Sequence, residues 1–117
     1  MVDSERRNTM FAFNHFNFNV LDLEKSLKFY EEALGLKEVR RKEAEDGSFI
    51  LVYLGDGKSS FTLELTWLKD RTEKYDLGEE EFHLAFTTDH YEEAYKKHKE
   101  IYFIGDPDGY WIEIVPA

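Results

Sequence analysis

The sequence contains no cysteine. That excludes a disulfide framework and any thiolate metal site, and it fits a cytoplasmic protein. No run approaches the roughly 18 apolar residues of a membrane span. The first ten residues, MVDSERRNTM, lack the apolar stretch of a secretory signal, so no membrane and no export is the expectation. Positive charge is also scarce. Lys and Arg number 15 against 25 Asp and Glu, a net charge of -10. Such a chain repels nucleic acid and anionic membranes on average. An anionic small substrate would need a local basic patch or a bound cation. What remains suffices for one ordinary core: 117 residues, 42% hydrophobic and 16% aromatic, read as a single domain over 1–117.

The stretch HFNFNV, residues 15 to 20, alternates as a half-buried strand does. Phe16, Phe18 and Val20 fall on one face, and His15, Asn17 and Asn19 on the other. Asp22 reads as the N-cap of a helix. Leu23, Leu27, Tyr30 and Leu34 recur at helical spacing, and Gly35 reads as the stop. Strands follow at about 36–42 and 48–54, separated by Asp46-Gly47. After Gly55-Asp56-Gly57 comes FTLELTW, residues 61 to 67. There Thr62, Glu64 and Thr66 share the polar face. A polar connection occupies 68–81. Then the pattern restarts, with a strand from Phe82, an N-cap at Asp89, and a helix carrying Tyr91, Ala94 and Tyr95.

This is an internal repeat. His15 aligns with His83, Phe18 with Phe86, Glu24 with Glu92 and Lys28 with Lys96. FTLELT aligns with YWIEIV, so Glu64 falls on Glu113. The first module covers about 12–67 and the second about 82–115. His15 and Glu64 are 49 positions apart, His83 and Glu113 only 30, a shortfall of 19. The deficit falls at Lys99-Glu100-Ile101, where a helical pattern meets a strand with no turn residue between. A loop and a strand's worth of chain is expected to be lacking there.

Alone, a histidine or glutamate in a strand is usually a solvated residue. Here His opens each module and Glu closes it, all four on the polar face. If the modules pack about a pseudo-two-fold axis, these side chains could converge in one cleft. Two imidazoles and two carboxylates with open positions suit six-coordinate nickel, cobalt, manganese or iron, with zinc possible. Neutral imidazole and ionised carboxylate are the ligand forms, so binding weakens in acid. His90 and His98 sit beside or within the second helix and read as non-ligands.

The motifs NHFNFNVLDLEKSLKFYEEALGLK, LELTW, YDLGEEEFHLAF and DPDGYWIEIV together resemble the vicinal oxygen chelate superfamily, and within it the small bacterial glyoxalase I group. The last motif is common across the superfamily; LELTW with YDLGEEEFHLAF is far more specific. The resemblance implies an α+β fold of paired βαβββ modules, with mixed or antiparallel curved sheets around a metal cleft. It implies His15, Glu64, His83 and Glu113 as ligands to one divalent metal, nickel or cobalt favoured and zinc possible. It implies a lactoylglutathione lyase. Methylglyoxal and glutathione combine without help into a hemithioacetal, which proton transfer through an enediolate isomerises to S-lactoylglutathione. Glu113 is the expected main base and Glu64 its partner. A homodimer is also implied.

Better-known relatives carry an Arg four residues after the first His and an Asn four residues after the first Glu; here those places hold Asn19 and Leu68. Arg40, Arg41, Lys69 and Arg71 are alternative cations for anchoring a thiol's carboxylates, and equally ordinary surface residues. Asn17, Asn19 and Thr66 are the candidate substrate contacts beside the ligands. Two other readings stay open: another activity of the superfamily, such as an epimerase or dioxygenase, and a metal-free module that binds a small molecule.

Overall fold

In a computed structural model, which describes residues 10–90, 92–93 and 103–117, the polar-faced strand and its helix form as the alternation requires. The elements in chain order are β1 (His15–Val20), α1 (Leu23–Leu34), β2 (Lys37–Glu43), β3 (Phe49–Gly55), β4 (Thr62–Leu68), β5 (Leu84–Thr88), β6 (Phe103–Gly105) and β7 (Trp111–Pro116). Residues 1–9, the Tyr91, Ala94, Tyr95 and Lys96 positions of the expected second helix, His98, and the Lys99-Glu100-Ile101 junction lie outside the described residues.

The Asp22 carboxylate accepts the Lys25 N–H at 3.1 Å and so satisfies one of α1's open donors. Gly35 ends the helix at φ 70°, a left-handed conformation that strains any residue with a Cβ. The Leu36 N–H then returns to the Tyr30 carbonyl at 3.1 Å, closing a Schellman stop. Leu23, Ser26 and Tyr30 are the buried face of α1.

The first sheet has strand order β1-β4-β3-β2, and the second β5-β7-β6. β1 runs parallel to β4 and β5 parallel to β7; the other pairings are antiparallel. The registers correspond. Asn17 and Tyr53 flank Glu64 on the neighbouring strands, and Ala85 and Phe103 flank Glu113 in the same way. The repeat seen in the sequence is therefore a repeat of sheet register. β2 has no counterpart among the described residues. It is an exposed, charged edge (KEVRRKE) with a bulge between Glu38 and Arg40, features that discourage edge pairing.

Both sheets contribute to one buried core, with Phe18, Val20, Val52, Leu63 and Leu65 from the first and Ile104, Ile112 and Ile114 from the second. The modules are clasped by the turn Asp106–Tyr110. The Tyr110 ring stacks on Phe18, centroids 4.0 Å apart and 9° from parallel, and its hydroxyl donates to the Asn19 carbonyl. Tyr30 donates to Asp106 Oδ2 at 2.6 Å, and the Leu21 N–H to Asp108 Oδ1 at 3.1 Å. Asp106 Oδ1 also accepts the N–H groups of Asp108 and Tyr110, so this buried carboxylate is fully partnered. Burial nonetheless raises the pKa values of Asp106 and Asp108 above their ordinary value, and pushes the Tyr110 phenol up to about 12.

Candidate metal centre

His15 and Glu64 come together from β1 and β4, with His15 Nε2 3.7 Å from Glu64 Oε1. His83 and Glu113 come together from the start of β5 and from β7, with Nε2 3.3 Å from Oε1. His83 does not lie within its strand as expected from the sequence; it immediately precedes the first residue of β5. In each pair the carboxylate is the more covered partner: Glu64 and Glu113 are 12% and 26% exposed, His15 and His83 40% and 44%.

The His83–Glu113 separation fits a shared cation, and the His15–Glu64 separation is slightly wider than one requires. Two donors bound at about 2.0–2.2 Å at near-octahedral or tetrahedral angles lie about 3.0–3.5 Å apart. The His15 Nδ1 lies 2.6 Å from the Asn14 side-chain oxygen, a contact that orients the ring with Nε2 toward Glu64. Among the described residues no three metal-competent side chains gather in one place, so within a single chain the four remain two pairs.

The surroundings of the pairs differ. Tyr53 packs edge-on to His15, ring centroids 5.8 Å apart, and Phe103 packs edge-on to His83 at 5.4 Å. The Tyr53 phenol is pushed above its ordinary value, first by hydrogen bonding toward the Glu64 carboxylate. The Arg40 guanidinium lies over the Tyr53 ring, 4.4 Å from its centroid. Asn17 satisfies its neighbours when its amide nitrogen faces Glu64 Oε1 at 3.1 Å and Thr66 Oγ1 at 2.5 Å. Asn19 in turn lies 2.7 Å from the Asn17 amide, so Asn17, Asn19 and Thr66 form one polar wall beside Glu64.

Next to the second pair, Phe82, His83, Phe103, Trp111 and the three glutamates 79–81 line an open hollow of about 430 Å³. Trp111 Nε1–H donates to Glu80 there at 2.7 Å. A larger cavity of about 740 Å³, bordered by Leu34, Leu54, Phe61, Leu84 and Phe86, contains none of the four residues and no imidazole. The smaller hollow is lined by one of the four, His83. Of the other cations, Arg41 is committed to Glu38 at 2.8 Å, and Arg71 stacks over Tyr75 and bonds the carbonyls of Glu73 and Lys74. His90 is paired with Asp89 and takes no part. Sequence reading missed Tyr53. Its signal was its alignment with Phe103 in the repeat, visible only once the registers of β3 and β6 are known.

A fold of paired sheets opening each module with His and closing it with Glu defines a class: residues 12–102 match the Glyoxalase/Bleomycin resistance protein/Dioxygenase superfamily, and the chain belongs to it. Among its relatives, a lactoylglutathione lyase of Neisseria meningitidis is 39% identical over 121 aligned positions, covering 86% of this chain and 87% of the relative. A probable lactoylglutathione lyase of Synechocystis is 34% identical, over 86% of this chain and 92% of its own. The structure of the trypanothione-dependent Leishmania major glyoxalase I superposes with a TM-score of 0.76 at 32% identity, over 90% of this chain and 86% of that one. Maize glyoxalase I gives 0.76 at 28% identity, over 88% of this chain and 43% of its longer one. The α+β glyoxalase fold is thus that of this chain. The 121 meningococcal positions use 86% of 117 residues, about 101, leaving about 20 without a residue from this chain.

Proposed function

We propose that this protein is a metal-dependent lactoylglutathione lyase that converts the hemithioacetal of methylglyoxal and glutathione to S-lactoylglutathione. The observation that carries the reading is the pair of His–Glu sets at equivalent registers, the imidazole and carboxylate of each within 4 Å of one another. Three relatives named lactoylglutathione lyase and one named probable lactoylglutathione lyase, at 30–39% identity, support it. We read residues 1–117 as one domain of two modules, 12–67 and 82–115, joined by 68–81 and abbreviated near 100–101.

His15, Glu64, His83 and Glu113 would hold the metal, nickel or cobalt by preference. Because the two pairs stay apart in one chain, we assign each centre to a homodimer, with one pair from each subunit, related by a two-fold axis. Held there, a divalent cation would supply Lewis acidity to the substrate's oxygens. Glu113 takes the proton from the carbon bearing sulfur and leaves an enediolate. It returns that proton to the neighbouring carbon while the hydroxyl proton passes from the first oxygen to the second, so the alcohol carbon becomes the thioester carbonyl and the ketone becomes the alcohol. No oxidant is consumed. The aromatic wall of Phe82, Phe103 and Trp111 keeps water from the enediolate, and Asn19 and Thr66 meet the polar end of the substrate.

The test is thioester formation from methylglyoxal plus glutathione, after chelator treatment and after adding back nickel, cobalt or zinc singly. Turnover abolished by chelation and restored by nickel or cobalt supports the reading. Metal uptake without turnover moves the search to another thiol or another reaction of the superfamily. No metal uptake overturns it.

A further inference from the structure

β2 is the outer edge of the first sheet, and two of its cations share a face with the first His–Glu pair. Directly opposed residues on paired strands lie on one face. One row runs Arg40, Tyr53, Glu64, and the next runs Lys42, Leu51, Thr66, Asn19. Each row starts at a cation on β2 and crosses to the polar wall beside Glu64. Resting on the function just proposed, we infer that Arg40 is a specificity-determining residue that receives a carboxylate of the substrate's thiol portion.

Three observations converge on Arg40. The first is its position. Its guanidinium turns inward from the edge to lie 4.4 Å from the centroid of the Tyr53 ring, and that ring packs edge-on to His15. A carboxylate held there is one ring away from the pair, and the Arg40 and Glu64 backbones are two strand spacings apart, about 10 Å. The second is availability. Among the described residues neither Arg40 nor Lys42 bonds a carboxylate, whereas Arg41 between them is taken by Glu38 at 2.8 Å. Arg41 opposes the buried Val52 and so belongs to the other face. A guanidinium over a ring keeps its N–H donors at its rim, in the fork that matches a carboxylate. The third is the charge of the alternative wall. Glu79, Glu80 and Glu81 line the hollow beside His83 and repel an anion. In a centre built from one pair of each kind, the anionic end of a substrate is therefore directed to the β2 side. No strand of the second sheet repeats β2 among the described residues, so this cationic edge belongs to the first module.

The experiment measures steady-state kinetics of the nickel-loaded full chain on two methylglyoxal hemithioacetals. One is made from glutathione and the other from glutathione diethyl ester, whose carboxylates are masked. Arg40→Gln raises KM for the glutathione substrate by about tenfold, the scale of a charge-assisted hydrogen bond at an exposed site. Its kcat stays close to that of the wild type, because the contact is equal in ground and transition states. On the diethyl ester the wild type already shows the raised KM, and Arg40→Gln adds nothing further. Arg40→Lys, which keeps the charge and loses the fork, falls between. Arg41→Gln removes the same charge from the other face and leaves KM unchanged. Thermal unfolding of each variant checks the fold. If the wild type turns over the glutathione substrate and Arg40→Gln matches its KM, or loses equally on the diethyl ester, this inference fails and the function stands. If the nickel-loaded wild type turns over neither substrate, both fail.

Discussion

At the scale of single residues, Glu113 carries the heaviest assignment. A positioned base contributes about 10²–10⁴-fold. Glu113→Gln is therefore expected to lower kcat within that range, measured by steady-state thioester formation at saturating metal. A loss under tenfold would move the base elsewhere. The two His–Glu pairings were legible in the sequence because each recurs at the same place of a repeat, and recurrence separates a paired residue from a stray polar one. Tyr53 was not legible. A tyrosine in a strand rich in apolar residues looks like core, and only the β3–β4 register sets it against Glu64. Asp106 and Asp108 were similarly veiled. DPDGY reads as a mark of the superfamily, whereas its carboxylates bind Tyr30, Leu21 and Ser26 of the other module.

At the scale of elements, α1 depends on its cap and on the clasp. Asp22→Ala removes the acceptor for the Lys25 N–H and is expected to cost about 0.5–2 kcal/mol in urea unfolding. Tyr30→Phe removes the buried bond to Asp106 and is expected to cost about 1–3 kcal/mol. The clasp also sets a pH dependence. Burial raises the Asp106 pKa in the folded protein, so between its ordinary value and that raised value the folded state binds more protons than the unfolded. This contribution is full below the ordinary value and declines as pH rises through the window. Asp46, Asp56 and Asp89, whose pKa values are held low by hydrogen bonds, give the opposite slope, so the comparison must be with a variant. In metal-free protein, Asp106→Asn is expected to lose less stability than wild type on raising the pH through that window; equal slopes would contradict it. Element order and type were legible from periodicity and caps. Strand ends moved by one or two residues, because pairing with a neighbour decides where a strand begins, and no single segment contains that information.

At the scale of the whole molecule, the shared core and the Asp106–Tyr110 clasp hold the two modules of one chain against each other through Phe18, Tyr30 and Tyr110. The two His–Glu pairs are not part of that contact. We propose that each chain carries two half-centres, completed by a second copy. The measurement that tests this most directly is complementation. One inactive variant carries His15→Ala and Glu64→Ala; the other carries His83→Ala and Glu113→Ala. Each alone forms no complete centre. Unfolded and refolded together, they form mixed dimers holding one intact centre each, and about a quarter of wild-type lyase activity should return with half-site metal in those dimers. Mixed dimers that are isolated, verified by mass and still devoid of activity and metal would contradict the account.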